Sequence, residues 1–319
     1  MLDSRLDALY QALKAAMPSQ QVQQSVPMSR YTTLRLGGPA DLLCWITSVE
    51  QLSAALKAAR EHQVPVTLIG NGSNLLVKDG GIRGLVIHLG ENFAQVTEPT
   101  PMPDGTFSLT AQAGATLQKL CNTAADHALT GLEFAFGIPG TVGGAVYMNA
   151  GAYGGEMKDV LYSITAMDME GNTHVYAASE LDLRYRHSVL MQLEQVVTSA
   201  TVLLRPGDSD TIRTAMREFS QRRRQKQPIH LPSCGSTFKR PEGYFAGTLI
   251  QDCGLKGCRM GGASVSELHA GFLVNDLEGT AADYLALMAY VQKTVFDQTG
   301  VHLEPEVRIL GEDAPISAV

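Results

Sequence analysis

The segment VPVTLIGNGSNLLV, residues 64–77, places an apolar run rich in β-branched side chains directly before a glycine-rich loop. Such a run predicts a buried strand, and the chain resumes as a strand at LLV. The segment before it, residues 48–62, has Ser48 and Gln51 at the spacing of a capping box and predicts a helix. A helix that leads into a buried strand indicates an α/β unit.

The rest of the chain predicts further strands and helices in mixed order. Residues 106–113 and 116–129 form a second strand and helix pair before a glycine-rich stretch at 131–156. After a polar helix from about Gly207, the run RRRQKQP (222–228) is the best candidate for a linker. The other predicted strands are 85–89, 161–169, 195–204, 271–275 and 306–310, and the other predicted helices are 244–254 and 280–300. The last helix keeps one apolar face, formed by Tyr284, Leu287, Met288, Val291 and Val295.

Composition limits the classes of function. The chain has 319 residues, of which 45% are hydrophobic and 18% charged, which is enough to bury a sizeable core. A net charge of −7 argues against a general nucleic-acid binder. The five cysteines have no C-x-x-C spacing, which favours a reducing cytoplasm over disulfides and predicts no metal site.

The start of the chain predicts an amphipathic helix. Its apolar stripe is formed by Leu2, Leu6, Leu9, Leu13 and Met17. Charged residues interrupt it, so it does not have the pattern of a signal peptide. No stretch of the sequence is long and apolar enough to predict a membrane span.

Two glycine-rich loops are candidate cofactor sites. The first, GNGSN, offers successive backbone N–H groups directly after a strand and therefore predicts an anion-binding cradle, with an ordinary tight turn as the alternative. It matches neither a P-loop nor a G-x-G-x-x-G fingerprint. Its candidate residues are Gly70, Asn71, Gly72, Ser73 and Asn74.

The side chains of the second loop are small, so they leave its backbone open, with many free N–H donors. Such a surface suits a long ligand that carries a diphosphate. A purely structural loop with this much glycine would pay a large entropy cost. Its candidate residues are Gly137, Gly140, Thr141, Gly143, Gly144, Asn149 and Gly151.

The stretch YRHSVL, residues 185–190, places an arginine, a histidine and a serine side by side. The His-Ser pair suggests a hydrolase. The chain nevertheless lacks the G-x-S-x-G elbow that presents a nucleophilic serine, so Arg186 is the more informative residue.

Seven segments, in this order, resemble the UDP-N-acetylenolpyruvoylglucosamine reductase family of peptidoglycan synthesis. They are TTLRLGGPADLL, IGNGSNLLV, GLEFAFGIPGTVGGAVYMNAGAYGGE, YRHSVL, PSCGSTFKRP, AGFLVN and LEPEVRILG. The short stretch between Tyr185 and Val202 leaves no room for an extra substrate-covering loop, so the chain resembles the shorter, type II branch.

The resemblance implies an α+β fold. A two-subdomain FAD-binding region of the vanillyl-alcohol-oxidase (PCMH) type would be joined to a C-terminal α/β substrate domain. We expect residues 1–90 to form the N-terminal helix and the first FAD-binding subdomain, and 91–206 the second. Residues 207–300 would bind substrate, and 301–319 would return to the FAD region as a final strand and tail.

The resemblance also implies a reaction. NADPH would reduce non-covalently bound FAD, and the enolpyruvyl ether of UDP-N-acetylglucosamine-enolpyruvate would be reduced to UDP-N-acetylmuramate. Such an enzyme serves cell-wall biogenesis, and thereby cell shape and division, in the cytoplasm. We expect no nucleic-acid, membrane or obligate protein partner.

Three catalytic residues are implied by position in the matching segments. Arg186 would bind the substrate carboxylate and the growing enolate charge, because its planar cationic fork suits a carboxylate. Ser236 would donate the proton, with Cys234 as the obvious rival. Glu306 would polarise or orient the enolate centre, whereas Glu304 is interpreted as a surface carboxylate.

Cationic side chains are needed to bind the negatively charged diphosphate of the substrate. Lys226, Lys239 and Arg240 are the candidates for the diphosphate, and a solvated cationic face is the alternative for the run around Lys226.

Two rival functions stay open at this point. The same fold hosts flavin oxidases of small alcohols, many of which bind flavin covalently through a histidine or cysteine in the first loop, and GNGSN contains neither. A non-catalytic nucleotide-binding regulator is the other rival, and the presence of Arg186, Ser236 and Glu306 argues against it.

Overall fold

A computed structural model describes residues 4–314 of the chain. Its helices are α1 (Ser4–Ala16), α2 (Val49–Glu61), α3 (Leu117–Asp126), α4 (Val142–Tyr147), α5 (Ser209–Lys226), α6 (Ala246–Asp252) and α7 (Ala281–Thr299). Its first strands are β1 (Val22–Pro27), β2 (Pro39–Trp45), β3 (Val66–Ile69), β4 (Leu75–Val77), β5 (Ile82–His88), β6 (Thr100–Pro101), β7 (Phe107–Gln112), β8 (Leu129–Thr130) and β9 (Gly151–Ala152). The remaining strands are β10 (Gly155–Glu156), β11 (Leu161–Asp168), β12 (Thr173–Ala177), β13 (Gln195–Pro206), β14 (Arg259–Met260), β15 (Ala263–Val265), β16 (Leu273–Asn275) and β17 (Arg308–Leu310).

The strands form small sheets with both parallel and antiparallel pairing. One sheet has the order β1-β2-β5-β3, with β3 parallel to β5. The largest is antiparallel, with the order β12-β11-β13-β7-β6 and β8 paired to β13. A third has the order β14-β15-β16, and β17 pairs in parallel with β4.

Two compact units divide the described chain. The first contains the described residues up to Gln23, together with Leu42–Asn71 and Gly84–Arg222. The second contains Gln24–Asp41, Gly72–Arg83 and the described residues from Arg223 onward. Each unit has its own cluster of buried apolar side chains. The predicted four-part division at residues 90, 206 and 300 stays a prediction.

Local sequence signals account for most of the long elements. Ser48 is the N-cap of α2, and its Oγ accepts a hydrogen bond from the Gln51 N–H at 3.3 Å. The Gln51 side chain accepts from the Thr47 N–H rather than from Ser48, so the predicted capping box is only half formed. The predicted apolar face of α7 is confirmed, because Tyr284, Leu287, Met288, Val291 and Val295 are all buried.

The predicted N-terminal helix is present as α1. Leu9 and Leu13 are fully buried in the core of the first unit, whereas Leu2 lies outside the described residues.

Short elements were missed. The pairs β9–β10 and β14–β15 have only two or three residues per strand, too few for an alternation pattern. The second glycine-rich loop also contains a helix, α4, in a stretch interpreted as open backbone. Thr141 caps it, because its Oγ1 accepts from the Gly144 N–H at 3.4 Å.

A carboxylate far away in sequence caps α7. The Asp79 Oδ1 accepts from the Ala281 N–H at 2.8 Å, and its Oδ2 accepts from the Ala282 N–H at 2.9 Å. These donors belong to the first turn of the helix and have no partner within it. Asp79 therefore ties the turn after β4 to the start of α7.

We expect Asp79→Ala to lower the free energy of unfolding by about 1–2 kcal/mol, because it removes two charge-assisted hydrogen bonds and the favourable interaction with the helix dipole. Chemical denaturation monitored by circular dichroism measures the loss. Asp297→Ala is the matched control, because Asp297 lies on the same helix in an exposed pair with Lys293 and should cost less than about 0.5 kcal/mol. Equal losses in the two variants would contradict the capping role.

Candidate functional site

The first glycine-rich loop follows β3 at the end of a parallel strand pair. Among residues 4–314, the backbone N–H groups of Asn71, Gly72, Ser73 and Asn74 have no backbone or side-chain acceptor. Gly72 has a left-handed backbone with φ of 60°. Consecutive N–H groups around such a residue can form a concave anion site, so the loop fits the predicted phosphate cradle.

Close packing within the protein also requires glycine at two positions of this loop. A Cβ on Gly72 would lie 1.9 Å from the Tyr31 carbonyl oxygen, and a Cβ on Gly70 would lie 2.4 Å from Thr141 Oγ1. The Asn71 Nδ2 donates to the Pro139 carbonyl at 3.0 Å. Gly70 and Asn71 therefore bring the end of β3 against the second glycine-rich loop within the first unit.

The second loop is less open than its sequence predicts. The Val142 N–H donates to the Ala115 carbonyl at 2.8 Å, and the Gly143 N–H donates to the Ala113 carbonyl at 2.9 Å. The prediction of many free donors is therefore wrong at these positions. A Cβ on Gly143 would lie 2.9 Å from the Ala113 Cβ, which explains that glycine by packing.

Gly144 differs from its neighbours. It lies on the exposed side of α4, where an added Cβ would meet only Thr141 Oγ1, at 3.5 Å. Nothing within the described protein requires a glycine there. A ligand that packs against this face would supply the missing reason.

Asn149 has no side-chain group left for a cofactor. It is fully buried, and its Nδ2 donates to Glu156 Oε2 at 2.8 Å and to the Arg184 carbonyl at 3.0 Å. Its Oδ1 accepts from the Lys158 N–H at 2.9 Å. The amide therefore joins the second loop to the segment that carries Arg186.

Arg186 lies at the tip of a tight turn. Arg184 and His187 exchange two backbone hydrogen bonds, at 3.1 and 3.0 Å, and leave only Tyr185 and Arg186 between them. Arg186 has φ of 51°, a left-handed conformation that is uncommon for a residue with a side chain. Lys158, which bonds to Glu156, is the main cause of the lowered pKa of Glu156, and Arg186 contributes to the lowering.

The His-Ser pair of the same segment is not a nucleophile and base. Ser188 is fully buried, and its Oγ donates to the Tyr147 carbonyl at 2.7 Å. His187 faces Asp182, with 3.3 Å between Nε2 and Oδ2. The hydrolase alternative is therefore wrong, because the serine oxygen is neither exposed nor paired with the histidine.

Ser236 and Glu306 are brought close together in the second unit by one intervening residue. The Thr237 carbonyl accepts from the Glu306 N–H at 2.8 Å, and the Thr237 N–H donates to the Gly271 carbonyl at 2.9 Å. Gly235, on the other side of Ser236, has φ of 82°. Both Ser236 and Glu306 are half-buried, so each retains access to a ligand.

Cys234, the rival of Ser236, is buried. Its Sγ lies 3.2 Å from the Tyr284 Oη, and burial raises the pKa of the Cys234 thiol to about 11. A buried thiol that is engaged with Tyr284 is poorly placed to reach a substrate.

Asn74 forms two hydrogen bonds to the backbone around Glu306. Its Nδ2 donates to the Glu306 carbonyl at 3.1 Å, and its carbonyl accepts from the Arg308 N–H at 2.9 Å. The side chain predicted to hold cofactor therefore has a bond within the protein.

Of the predicted phosphate ligands, Lys226 and Arg240 are exposed and Lys239 is half-buried, and the three differ in their partners. Lys226 is the last residue of α5. The Lys239 Nζ forms an ion pair with Glu304, which is 70% exposed as expected of a surface carboxylate. The Arg240 guanidinium stacks on the Phe245 ring with 3.9 Å to its centroid, and its Nε donates to the Tyr244 carbonyl at 3.3 Å.

Sequence reasoning missed the buried residues Thr237 and Tyr284 as parts of this site. Thr237 was adjacent to the serine motif, whereas Tyr284 was visible only as one position of an apolar helix face. Within residues 4–314, no cluster of histidine, cysteine or carboxylate side chains is arranged to hold a metal ion. None of the helices in this range combines the length and apolar character of a membrane span.

Two family models match the chain. Residues 40–176 match the model described as FAD binding domain, and residues 227–310 match the model described as UDP-N-acetylenolpyruvoylglucosamine reductase, C-terminal domain.

Relatives align over nearly the whole chain. The chain is 49% identical to UDP-N-acetylenolpyruvoylglucosamine reductase of Agathobacter rectalis over 302 residues, which cover 93% of this chain and 96% of the relative. It is 46% identical to the protein of that name from Lactiplantibacillus plantarum, with coverages of 94% and 97%.

A solved structure is also similar. The crystal structure of UDP-N-acetylenolpyruvylglucosamine reductase from Thermus caldophilus superposes with a TM-score of 0.78 at 36% identity, covering 91% of this chain and 99% of that chain. Together with the FAD-binding model, this match confirms the predicted α+β fold with a flavin-binding region of the PCMH type.

We expect Asn149→Ala to lower the free energy of unfolding by about 2–3 kcal/mol, because it removes three buried hydrogen bonds. The backbone amides of Arg184 and His187 should also exchange hydrogen faster, since the turn that carries Arg186 loses its anchor. Hydrogen exchange measured by mass spectrometry checks this. Asn172→Ala, at an exposed turn between β11 and β12, is the control: it removes one exposed hydrogen bond, to Asp168 Oδ2 at 3.1 Å, and should change both quantities much less. Unchanged exchange in Asn149→Ala would show that the turn is held by other contacts.

Proposed function

The chain belongs to the UDP-N-acetylenolpyruvoylglucosamine reductase family, and from this premise we propose how its residues carry out the reaction and that NADPH is its electron source. It is an FAD-dependent oxidoreductase that reduces UDP-N-acetylenolpyruvoylglucosamine in peptidoglycan synthesis. Bound FAD supplies hydride transfer from NADPH to the terminal carbon of the enolpyruvyl ether. The proposed product of the reaction is UDP-N-acetylmuramate.

The observation that carries the proposed mechanism is the arrangement around Thr237. A weak acid and a carboxylate, Ser236 and Glu306, are both half-buried and are held by hydrogen bonds of the residue between them. Reduction of an enol ether needs one proton as well as one hydride. A hydroxyl that is held in place beside a carboxylate can provide and direct that proton.

Ser236 is the proposed proton donor. When the terminal carbon gains hydride, the adjacent carbon becomes enolate-like and takes the proton from Ser236 Oγ. The electron pair of the O–H bond stays on the serine oxygen, which regains a proton from water. The buried state of Cys234 supports this choice over the thiol.

Arg186 is proposed to bind the substrate carboxylate and to offset the charge that develops next to it. The guanidinium can donate two parallel hydrogen bonds to a carboxylate. Its left-handed backbone supports a functional role, because such a conformation costs on the order of 1–3 kcal/mol and persists only where the surroundings hold it. Glu306 is proposed to polarise or orient the enolate centre.

FAD is proposed to bind without a covalent bond. The first loop fits its diphosphate because four successive N–H groups, from Asn71 to Asn74, have no acceptor among the described residues. The loop contains neither histidine nor cysteine. Gly70, Gly137, Gly140, Thr141, Gly144 and Gly151 complete the proposed cofactor set, with Gly143 and Asn149 shaping the second loop from within.

The substrate diphosphate is proposed to meet Lys226, Lys239 and Arg240. Arg240 is held by its stack on Phe245, which orients the guanidinium. Lys239 would exchange its ion pair with Glu304 for the phosphate, at small cost because the pair is exposed.

The cytoplasm is the proposed location, because the five cysteines are free and the expected cosubstrates are cytoplasmic metabolites. By supplying a wall precursor, the enzyme would support cell shape and division. We propose that it needs no nucleic acid, membrane or obligate protein partner. Residues 207–300 are proposed as the substrate-binding part, with 1–90 and 91–206 as the flavin-binding parts and 301–319 returning to them.

We expect Gly144→Ala to weaken FAD binding by at least about tenfold while the apoprotein becomes no less stable. The added methyl group contacts only Thr141 within the described protein, and alanine is the better residue in a helix by about 1 kcal/mol. Fluorescence titration of the apoprotein with FAD measures the affinity, and thermal unfolding of the apoprotein checks the fold. Unchanged affinity would remove Gly144 from the cofactor site.

We expect Ser236→Ala to slow substrate-dependent reoxidation of the pre-reduced enzyme by at least about a hundredfold, because a general acid contributes about 10²–10⁴-fold. Reduction by NADPH should stay close to normal. Stopped-flow absorbance separates the two half-reactions. Ser233→Ala, three residues earlier, is the matched control. Near-normal reoxidation in Ser236→Ala would assign the proton to another group.

A further inference from the structure

A buried cluster of polar groups lies directly behind Ser236. The Tyr284 Oη is 3.0 Å from Thr237 Oγ1, 3.2 Å from Cys234 Sγ and 3.4 Å from the Leu273 carbonyl. Tyr284 and Thr237 are both 0% exposed. A buried hydroxyl is costly unless it is hydrogen-bonded, and a phenylalanine would fill the same space without that requirement. Packing of α7 alone therefore does not explain the tyrosine oxygen.

The donors and acceptors of this cluster can form a closed ring. The Leu273 N–H donates to Thr237 Oγ1 at 3.2 Å. If the Thr237 hydroxyl then donates to Tyr284 Oη, the Tyr284 hydroxyl is available to donate to the Leu273 carbonyl. The Cys234 thiol can donate to the remaining lone pair of Tyr284 Oη. Every hydrogen in the cluster has an acceptor, which makes the arrangement rigid.

This ring holds both ends of the segment that carries Ser236. Cys234 lies two residues before the serine and Thr237 one residue after it, and both bind the same tyrosine oxygen. Thr237 also accepts from the Glu306 N–H. A displacement of the Tyr284 hydroxyl would therefore move Ser236 and the backbone of Glu306 together.

We propose that Tyr284 is a positioning residue for proton transfer: its hydroxyl, through Thr237 and Cys234, sets the location of Ser236 Oγ. This inference rests on the proposed role of Ser236 as the proton donor. Tyr284 itself does not touch substrate, because it is fully buried. A weak acid such as serine requires tight placement against the carbon that it protonates, so loss of the tyrosine oxygen slows protonation specifically.

The test compares Tyr284→Phe with Tyr290→Phe, a control on the same helix whose side chain is 43% exposed. In Tyr284→Phe, substrate-dependent reoxidation of the pre-reduced enzyme falls about tenfold, while reduction by NADPH is unchanged. Tyr290→Phe changes neither rate. Equal slowing of both half-reactions in Tyr284→Phe, or normal reoxidation, overturns the inference.

A second variant pair tests whether the effect passes through the serine. Adding Tyr284→Phe to Ser236→Ala produces no further loss of reoxidation, because the group that it positions is absent. A multiplicative loss in the double variant contradicts positioning through Ser236. Normal reoxidation in Ser236→Ala instead refutes the proposed proton donor, so the two failures are distinguishable.

Hydrogen exchange of the backbone amides tests the inference without catalytic turnover. In Tyr284→Phe apoprotein, the backbone amides of Thr237 and Glu306 exchange hydrogen faster, whereas amides of α3, which lies wholly in the first unit, do not. Thr237→Val, which removes the hydroxyl, produces the same faster exchange at these amides. Thr237→Ser, which keeps the hydroxyl, shows the slow exchange and normal reoxidation of the unsubstituted protein. Unchanged exchange at Thr237 and Glu306 in Tyr284→Phe overturns the inference.

Discussion

The hydrogen bond from the Glu306 N–H to the Thr237 carbonyl is the contact on which the proposed catalytic part of the second unit depends. It joins two segments that are far apart in sequence and brings the backbone of Glu306 to the residue that follows Ser236. Thr237 can hold both because its N–H, carbonyl and hydroxyl each have a hydrogen-bond partner. The residue at the centre is therefore one that performs no chemistry itself.

A comparable arrangement holds Arg186 in the first unit. Arg186 and Asn149 both have left-handed backbones, with φ of 51° and 41°. The Asn149 amide donates to the carbonyl of Arg184, two residues before Arg186. Strained backbone needs surroundings that determine it, and the buried Asn149 amide supplies such surroundings. In both units, a fully buried polar side chain, Asn149 or Thr237, holds a segment that carries a half-buried residue with a proposed catalytic role.

The glycine-rich loops illustrate how two constraints act on the same residues. Gly70, Gly72 and Gly143 are needed because backbone or side-chain atoms of the protein lie where a Cβ would be. Gly144 differs, because it is exposed and an added Cβ would meet only Thr141 Oγ1, at 3.5 Å. A high glycine content therefore indicated a crowded backbone at several positions, and the proposed ligand surface can be separated from that crowding only position by position.

The sequence by itself determined the long elements and the family. Strand β3 (Val66–Ile69), the capping of α2 by Ser48 and the buried face of α7 follow from local periodicity and capping. The resemblance in the segments around Arg186, Ser236 and Glu306 was sufficient to identify the family. Tertiary structure alone decided that Asn149 bonds within the protein, that Cys234 is buried and that Tyr284 lies behind Ser236. These facts depend on which polar atoms from distant segments meet in the interior, and local spacing in a sequence carries no information about those meetings.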